Sequence, residues 1–302
     1  MKVYLNGQFV DSDSACLSAF DAAVQHGVGL FTTMRAYNGR IFRLQSHLDR
    51  LAHSVMQLGL YNQLDTAPLG RLVQRTLAEN QLADARIRLT ITGGDLALLN
   101  AARGQGKPHT PTILIQVTAP TVYPQELFTQ GATATVAEAR ANPLDPTAGH
   151  KTINYWMRLQ SLMKAGAAGA SEALWFAVNG DLCGGAVSNA FVVKDGQLLT
   201  PIARGEESPE ALPAPVLPGI TRQAVIETAE SLGLAVEKQA LNGEDVARAD
   251  ELFLTNSSWL ILPVVRVNQQ AIADGQVGRL TGLLYDRMLE QIAAECGGSK
   301  EA

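Results

Sequence analysis

Cysteine is scarce in this 302-residue chain, and the three present, Cys16, Cys183 and Cys296, show no CxxC and no metal-type spacing. An odd, sparse set of this kind excludes a disulfide framework and fits a reducing compartment. The five histidines (His26, His47, His53, His109 and His150) are scattered, without HExxH or a comparable ligand pair, so no structural metal is expected. No apolar run approaches the roughly 20 residues that span a bilayer. Met1 to Gly7 lacks the apolar core of a signal peptide. Basic stripes are missing too, and with a net charge of −5 the chain is a poor partner for nucleic acid or an anionic membrane. Internal repeats and low-complexity tracts are lacking. A cytoplasmic, soluble protein is expected.

Apolar residues make up 46% of the chain and charged residues 18%, a globular composition, and 302 residues suffice for two domains with real cores. Val3-Tyr4-Leu5, Asn6-Gly7 and Gln8-Phe9-Val10 read as a hairpin, since Asn-Gly between short apolar runs is the strongest local hairpin signal. Thr32 to Tyr37 reads as a strand. From Gln45, helical spacing sets Leu48, Leu51, Val55 and Leu58 on one face, with Gly59 as a stop. A helix over Ala67 to Asn80 and strands over Arg86 to Thr92 and Thr112 to Val117 follow, the last two separated by a long Gly-rich loop from Gly93 to Pro111. Pro120 and Pro124 mark a linker, giving domains of residues 1–118 and 125–302 joined by 119–124. Beyond it come a strand over Ala132 to Ala139, a helix over Asn154 to Ala168 and strands over Ala173 to Val178 and Ala190 to Val193. Pro201 to Pro215 reads as a mobile surface loop. A helix from Pro218-Gly219 to Leu232, a strand over Glu251 to Thr255 and a last helix over Thr281 to Glu295 complete an α+β to mixed α/β pattern.

Several residues in this pattern carry chemistry. Lys151 follows a Pro-broken loop, Asn142-Pro143-Leu144-Asp145-Pro146, and precedes an apolar helix. In a dry pocket its amine becomes a nucleophile or base; in water it is an ordinary helix-start lysine. Pro218-Gly219-Ile220-Thr221 opens a helix and reads either as an anion cup or as a Pro/Gly turn with a Thr cap. Ser257-Ser258 offers hydroxyl donors at a strand end, or an ordinary turn. Arg50 can bond a phosphate bidentately or lie solvated on its helix.

Taken in order, Leu5-Asn6-Gly7, Gly29-Leu30-Phe31-Thr32-Thr33-Met34-Arg35, His47-Leu48-Asp49-Arg50-Leu51, Lys151-Thr152-Ile153-Asn154-Tyr155, Ser188-Asn189-Ala190-Phe191 and Leu217-Pro218-Gly219-Ile220-Thr221-Arg222 resemble the class IV pyridoxal-phosphate enzymes over nearly the whole chain. That group includes branched-chain aminotransferases, D-amino-acid aminotransferases and aminodeoxychorismate lyases. The resemblance implies fold type IV, with two α/β domains, pyridoxal 5'-phosphate in the cleft between them, and a homodimer. It implies that Lys151 forms the internal Schiff base and later shuttles the proton. It assigns Arg50, Ile220, Thr221 and Ser257 to the cofactor phosphate, sets Asn189 beside the ring, and places Tyr155 where branched-chain enzymes often carry a tyrosine. The implied activity is amino transfer between a small amino acid or amine and a 2-oxo acid. The alternatives are pyruvate elimination from aminodeoxychorismate to give 4-aminobenzoate, or cofactor binding with little turnover.

Two departures bear on that choice. The family glutamate that pairs with the pyridine nitrogen, five residues before the motif asparagine, falls on Gly184. A buried pyridinium without a carboxylate partner loses its proton, so either another carboxylate serves, the chemistry needs less electron withdrawal, or turnover is weak. Gly93 stands where D-amino-acid aminotransferases carry a carboxylate-binding arginine. Phe31-Thr32-Thr33 and Thr255-Asn256-Ser257 lean toward the lyases, whereas Lys151 to Tyr155 leans toward the branched-chain group.

Overall fold

The computed structural model describes residues 1–95 and 110–297. Within those limits the chain forms two compact units. One is drawn from the described residues of Met1–Thr121, from Lys151–Asn154 and from 293–297, the other from Val122–His150 and Tyr155–Ile292. The long loop expected from Gly93 to Pro111 lies, for the most part, outside the described residues.

The first unit contains β1 (Lys2–Leu5), β2 (Gln8–Asp11), α1 (Ala22–His26), β3 (Gly29–Tyr37), β4 (Arg40–Ile41), α2 (Leu44–Gln57), α3 (Thr66–Glu79), β5 (Ala85–Thr92) and β6 (Ile113–Thr118). Its strands pair antiparallel throughout, in the order β2-β1-β6-β5-β3-β4. The 3.6-residue spacing of Leu48, Leu51 and Val55 turns one face of α2 onto this sheet, and Leu69, Val73 and Leu77 do the same for α3. They meet Met34, Ile87, Leu89 and Ile91, which alternate along β3 and β5 and are fully buried. Each such side chain contributes about 1.5–3 kcal/mol of transfer free energy.

The second unit contains α4 (Glu126–Thr129), β7 (Ala132–Ala141), α5 (Trp156–Ala167), β8 (Glu172–Ala177), β9 (Leu182–Gly185), β10 (Asn189–Lys194), β11 (Gln197–Thr200), α6 (Ile220–Ser231), β12 (Val236–Lys238), α7 (Gly243–Ala247), β13 (Glu251–Asn256), β14 (Leu260–Val267), β15 (Gln270–Ala271) and α8 (Arg279–Cys296). Its sheet runs β12-β11-β10-β13-β14-β7-β8-β9, with β15 on β14. β12 with β11, β7 with β14 and β8 with β7 are parallel. β8 is buried at all six positions and β10 at its first five, as strands covered on both faces are.

The Pro201 to Pro215 stretch differs in part from its expected character. Pro201, Ala203 and Ala214 are buried and Glu206 is tied to α6 and β12, so its two ends are anchored, while residues 208–213 are exposed as a surface loop is. Among the described residues no helix is long and apolar enough to cross a membrane.

Candidate active site

Lys151 does not project from a free loop. The Phe31 N–H donates to the Lys151 carbonyl at 2.9 Å and the Ile153 N–H donates to the Gly29 carbonyl at 3.0 Å. Leu30 and Thr152 form a bridge between these bonds. Because β4 pairs only with Ala36 and Tyr37, the first residues of β3 have an open edge, and Lys151 to Ile153 occupy it. The side chain is thereby fixed relative to the sheet. Lys151 Nζ lies 4.7 Å from the centroid of the Phe31 ring, and Arg88 Cζ lies 3.6 Å from the same centroid. An aromatic ring shared by two cationic side chains favours both electrostatically.

Arg50 reaches the same unit from α2. Its Nη2 donates to Thr32 Oγ1 at 3.2 Å, and Thr32 Oγ1 lies 2.8 Å from His47 Nδ1. His47 and Arg50 are three residues apart on one helical face. Burial, then the charges of Arg50 and Lys151, hold the His47 imidazole well below its ordinary pKa. The group thus joins a neutral histidine to cationic side chains, an environment suited to an anionic ligand.

In the second unit, Asn189, Ile220 and Thr221 come together. Asn189 Nδ2 donates to the Leu217 carbonyl at 2.8 Å, anchoring the loop that enters α6. A Cβ at Gly219 would lie 1.9 Å from Asn189 Oδ1, so this close approach requires glycine. Gly219 is the residue before the first turn of α6 and supplies no side-chain cap. The first backbone N–H groups of α6 therefore have no capping side chain among the described residues, and the helix dipole is positive there. Thr221 is buried in that turn.

Thr255 pairs directly with Asn189 across β13 and β10. Its hydroxyl is buried and has no hydrogen-bond partner among the described residues. Ser257 follows in a turn built by Asn256, whose Oδ1 accepts from Ser258 N at 2.8 Å and Trp259 N at 3.1 Å. Tyr155 stands at the head of α5, with Arg158 Cζ 5.7 Å from its ring. Lys151 and Arg50 thus belong to the first unit, while Asn189, Ile220, Thr221, Ser257 and Tyr155 belong to the second.

The turn bearing Gly184 is organised by a residue that sequence reasoning passed over. Glu172, at the start of β8, is 1% exposed. It accepts from the N–H groups of Ala173, Ala186 and Val187 and from Ser188 Oγ, at 2.9 to 3.2 Å. Burial raises its pKa against the opposing pull of those bonds. The four donors occupy this carboxylate in bracing the turn. Asp181 is likewise engaged, accepting from Asn179 Nδ2 at 2.7 Å. Gly184 itself has φ +121°, and a Cβ there would lie 2.6 Å from the Ser188 carbonyl oxygen. This backbone accepts glycine and no side chain without rearrangement.

Thr32, His47, Arg88, Glu172 and Thr255 were not singled out as site residues from sequence. His47 carried a usable signal, its i, i+3 spacing to Arg50. The others depend on strand register, which local pattern does not supply.

The family model "Amino-transferase class IV" matches residues 29–267. A putative branched-chain-amino-acid aminotransferase of Methanocaldococcus jannaschii is 35% identical over 290 residues, covering 95% of each chain. A D-alanine aminotransferase of Listeria monocytogenes is 27% identical, covering 98% of each chain. An aminodeoxychorismate lyase of Bacillus subtilis is also 27% identical, over 98% of this chain and 97% of its own. The solved structure of the Escherichia coli branched-chain amino acid aminotransferase superimposes with a TM-score of 0.86 at 27% identity, covering 100% of this chain and 97% of that one. That of the T.th. branched-chain amino acid aminotransferase with pyridoxamine 5'-phosphate gives a TM-score of 0.84 at 26% identity, over 97% and 94%.

Proposed function

The chain belongs to the class IV aminotransferases, a pyridoxal-phosphate family, and on that premise we propose that it moves an amino group between a small amino acid and a 2-oxo acid with Lys151 as the imine-forming residue. When bound, pyridoxal 5'-phosphate supplies an aldehyde that captures amines and a ring that takes up electrons. In the second unit, the uncapped leading N–H groups of α6 and the Thr221 beside them suit a phosphate, and we assign Ile220, Thr221 and Ser257 to it, with Asn189 and Tyr155 as further cofactor-binding residues. Arg50, in the first unit, is assigned to the same phosphate by its place in the family motif. Lys151 would supply the amine that holds the aldehyde and, when freed, would carry the proton at the substrate carbon.

The observation that carries this reading is the docking of Lys151 on β3, with Nζ 4.7 Å from the Phe31 ring centroid and close enough to lower the His47 pKa. Its test is the visible absorption of the protein loaded with the cofactor. The wild type shows an imine band that an amino donor bleaches and a 2-oxo acid restores, and Lys151→Ala shows none. A band that no donor bleaches would leave only cofactor binding.

Thr32 supports a second reading, pyruvate elimination from aminodeoxychorismate. A threonine hydroxyl, not a carboxylate, joins Arg50 to His47, and Phe31-Thr32-Thr33 is a lyase-like run. Pyruvate released without any oxo-acid acceptor selects the lyase; strict dependence on an acceptor selects the transaminase.

The protein acts as a homodimer in the cytoplasm. Support for the first comes from Trp156, Met157, Leu159 and Met163, all exposed on α5, an apolar face of the kind that subunit contacts cover. Support for the second comes from three unpaired cysteines.

A further inference from the structure

Arg222, in the first turn of α6, is 1% exposed and carries a charge into the second unit's interior. Its Nη1 and Nη2 donate to Glu206 Oε1 and Oε2 at 3.0 and 2.8 Å, a bidentate fork. Nη2 also donates to the Pro201 carbonyl at 2.9 Å, and Nε donates to Thr200 Oγ1 at 3.1 Å. The Thr200 hydroxyl donates in turn to the Ala190 carbonyl at 2.9 Å, one residue beyond Asn189. Asn189 closes the circuit by holding Leu217, two residues before Gly219.

The start of α6 is therefore pinned from both sides. Asn189 fixes the loop that enters it, and Glu206, reaching in from the Pro201 to Pro215 stretch, fixes the side chain leaving its first turn. Neither anchor uses the helix's own leading N–H groups, which stay available to a ligand. A second feature marks the same place. Thr255 faces Asn189 in register, and its buried hydroxyl has no partner among the described residues. Directly opposed residues project to the same side of a sheet.

From this circuit we infer that Glu206 is a positioning residue for phosphate recognition, holding the first turn of α6 through Arg222 so that its N–H groups and Thr221 meet the phosphate of the cofactor. The inference rests on the proposed assignment of α6 to that phosphate. Glu206 touches no ligand itself. A buried arginine that loses its carboxylate shifts to find another acceptor, and the turn bearing it shifts as well. Phosphate affinity depends on where these donors are held, to within about 0.5 Å, whereas capture of the aldehyde by a lysine does not use this turn.

The test compares two probes on the full-length protein freed of cofactor: pyridoxal 5'-phosphate and pyridoxal, which lacks the phosphate. Their affinities in the wild type give a phosphate preference. Equal wild-type affinities would remove the assignment of α6 itself, a failure separate from that of the Glu206 role. Given a preference, Glu206→Gln reduces it by about tenfold while leaving pyridoxal affinity at the wild-type value. An unchanged preference in folded Glu206→Gln overturns the role. If that variant does not fold, the double variant Glu206→Gln with Arg222→Met removes both charges from the interior. The double variant shows the same reduced preference; a wild-type preference there overturns the role equally.

Discussion

Thr32 Oγ1 stands between His47 Nδ1, at 2.8 Å, and Arg50 Nη2, at 3.2 Å. Arginine can only donate, so the hydroxyl accepts from Arg50. With the imidazole neutral, the hydroxyl's own proton is then assigned to Nδ1 from the hydrogen-bond network, which leaves the ring proton on Nε2. Thr32→Val keeps the shape and removes both bonds. A buried Nδ1 without a donor costs about 1–3 kcal/mol, so the variant melts at lower temperature and holds the cofactor less tightly. A variant with wild-type stability and cofactor affinity would show that the hydroxyl links nothing of consequence.

His47 also predicts a pH response. Its folded pKa is depressed, so below the ordinary value of about 6.5 the unfolded chain takes up a proton that the fold refuses. Its contribution to stability is full above about pH 6.5 and is lost as pH falls below it. NMR of the imidazole shows no titration across about pH 6 to 8. A midpoint near 6.5 would place His47 in contact with water.

Glu206 sets a second, lower window. Burial alone would raise its pKa, but hydrogen bonds from Arg222, Lys238 and the Ala203 N–H outweigh this and bring it to about 2. Its stabilisation is present above the ordinary carboxylate value and disappears as pH falls toward about 2. Urea titrations from about pH 5 to pH 3 show this loss in the wild type. In Glu206→Gln that part of the slope is gone; an unchanged slope would assign it to other carboxylates.

How much of this was legible beforehand differed by element. The periodic helix around Leu48, Leu51 and Val55 and the Asn6-Gly7 hairpin are local signals, and both formed as read. β9 was not legible, because Leu182-Cys183-Gly184-Gly185 holds two glycines and becomes a strand only by pairing with β8. The pairing of Leu30 with Thr152 joins residues more than a hundred positions apart, which no periodicity reports. Pro201 to Pro215 read as a surface loop because its composition is polar and Pro-rich, while the partner that anchors it, Arg222, sits in a helix further on. Glu172 was invisible for a related reason: three of its four donors, from Ala186, Val187 and Ser188, are brought to it by the β8–β9 pairing.

Thiol chemistry follows from burial. Cys16 is exposed, whereas Cys183 and Cys296 are buried. Burial pushes the Cys183 thiol up to about 12, partly offset by Arg158, and raises Cys296 as well. A thiol reagent at neutral pH therefore labels one cysteine per native chain quickly and all three after denaturation. Fast labelling of Cys183 in the native protein would mean that the β9 turn opens.

The identity of the imine-forming lysine is tested most directly by chemical trapping. Borohydride reduction of the cofactor-loaded wild type fixes a bound pyridoxyl group irreversibly on the amine that holds it, and peptide mapping then locates the added mass. The account predicts the pyridoxyl group on the peptide containing Lys151. The same mass on a different lysine, or on none, would contradict it.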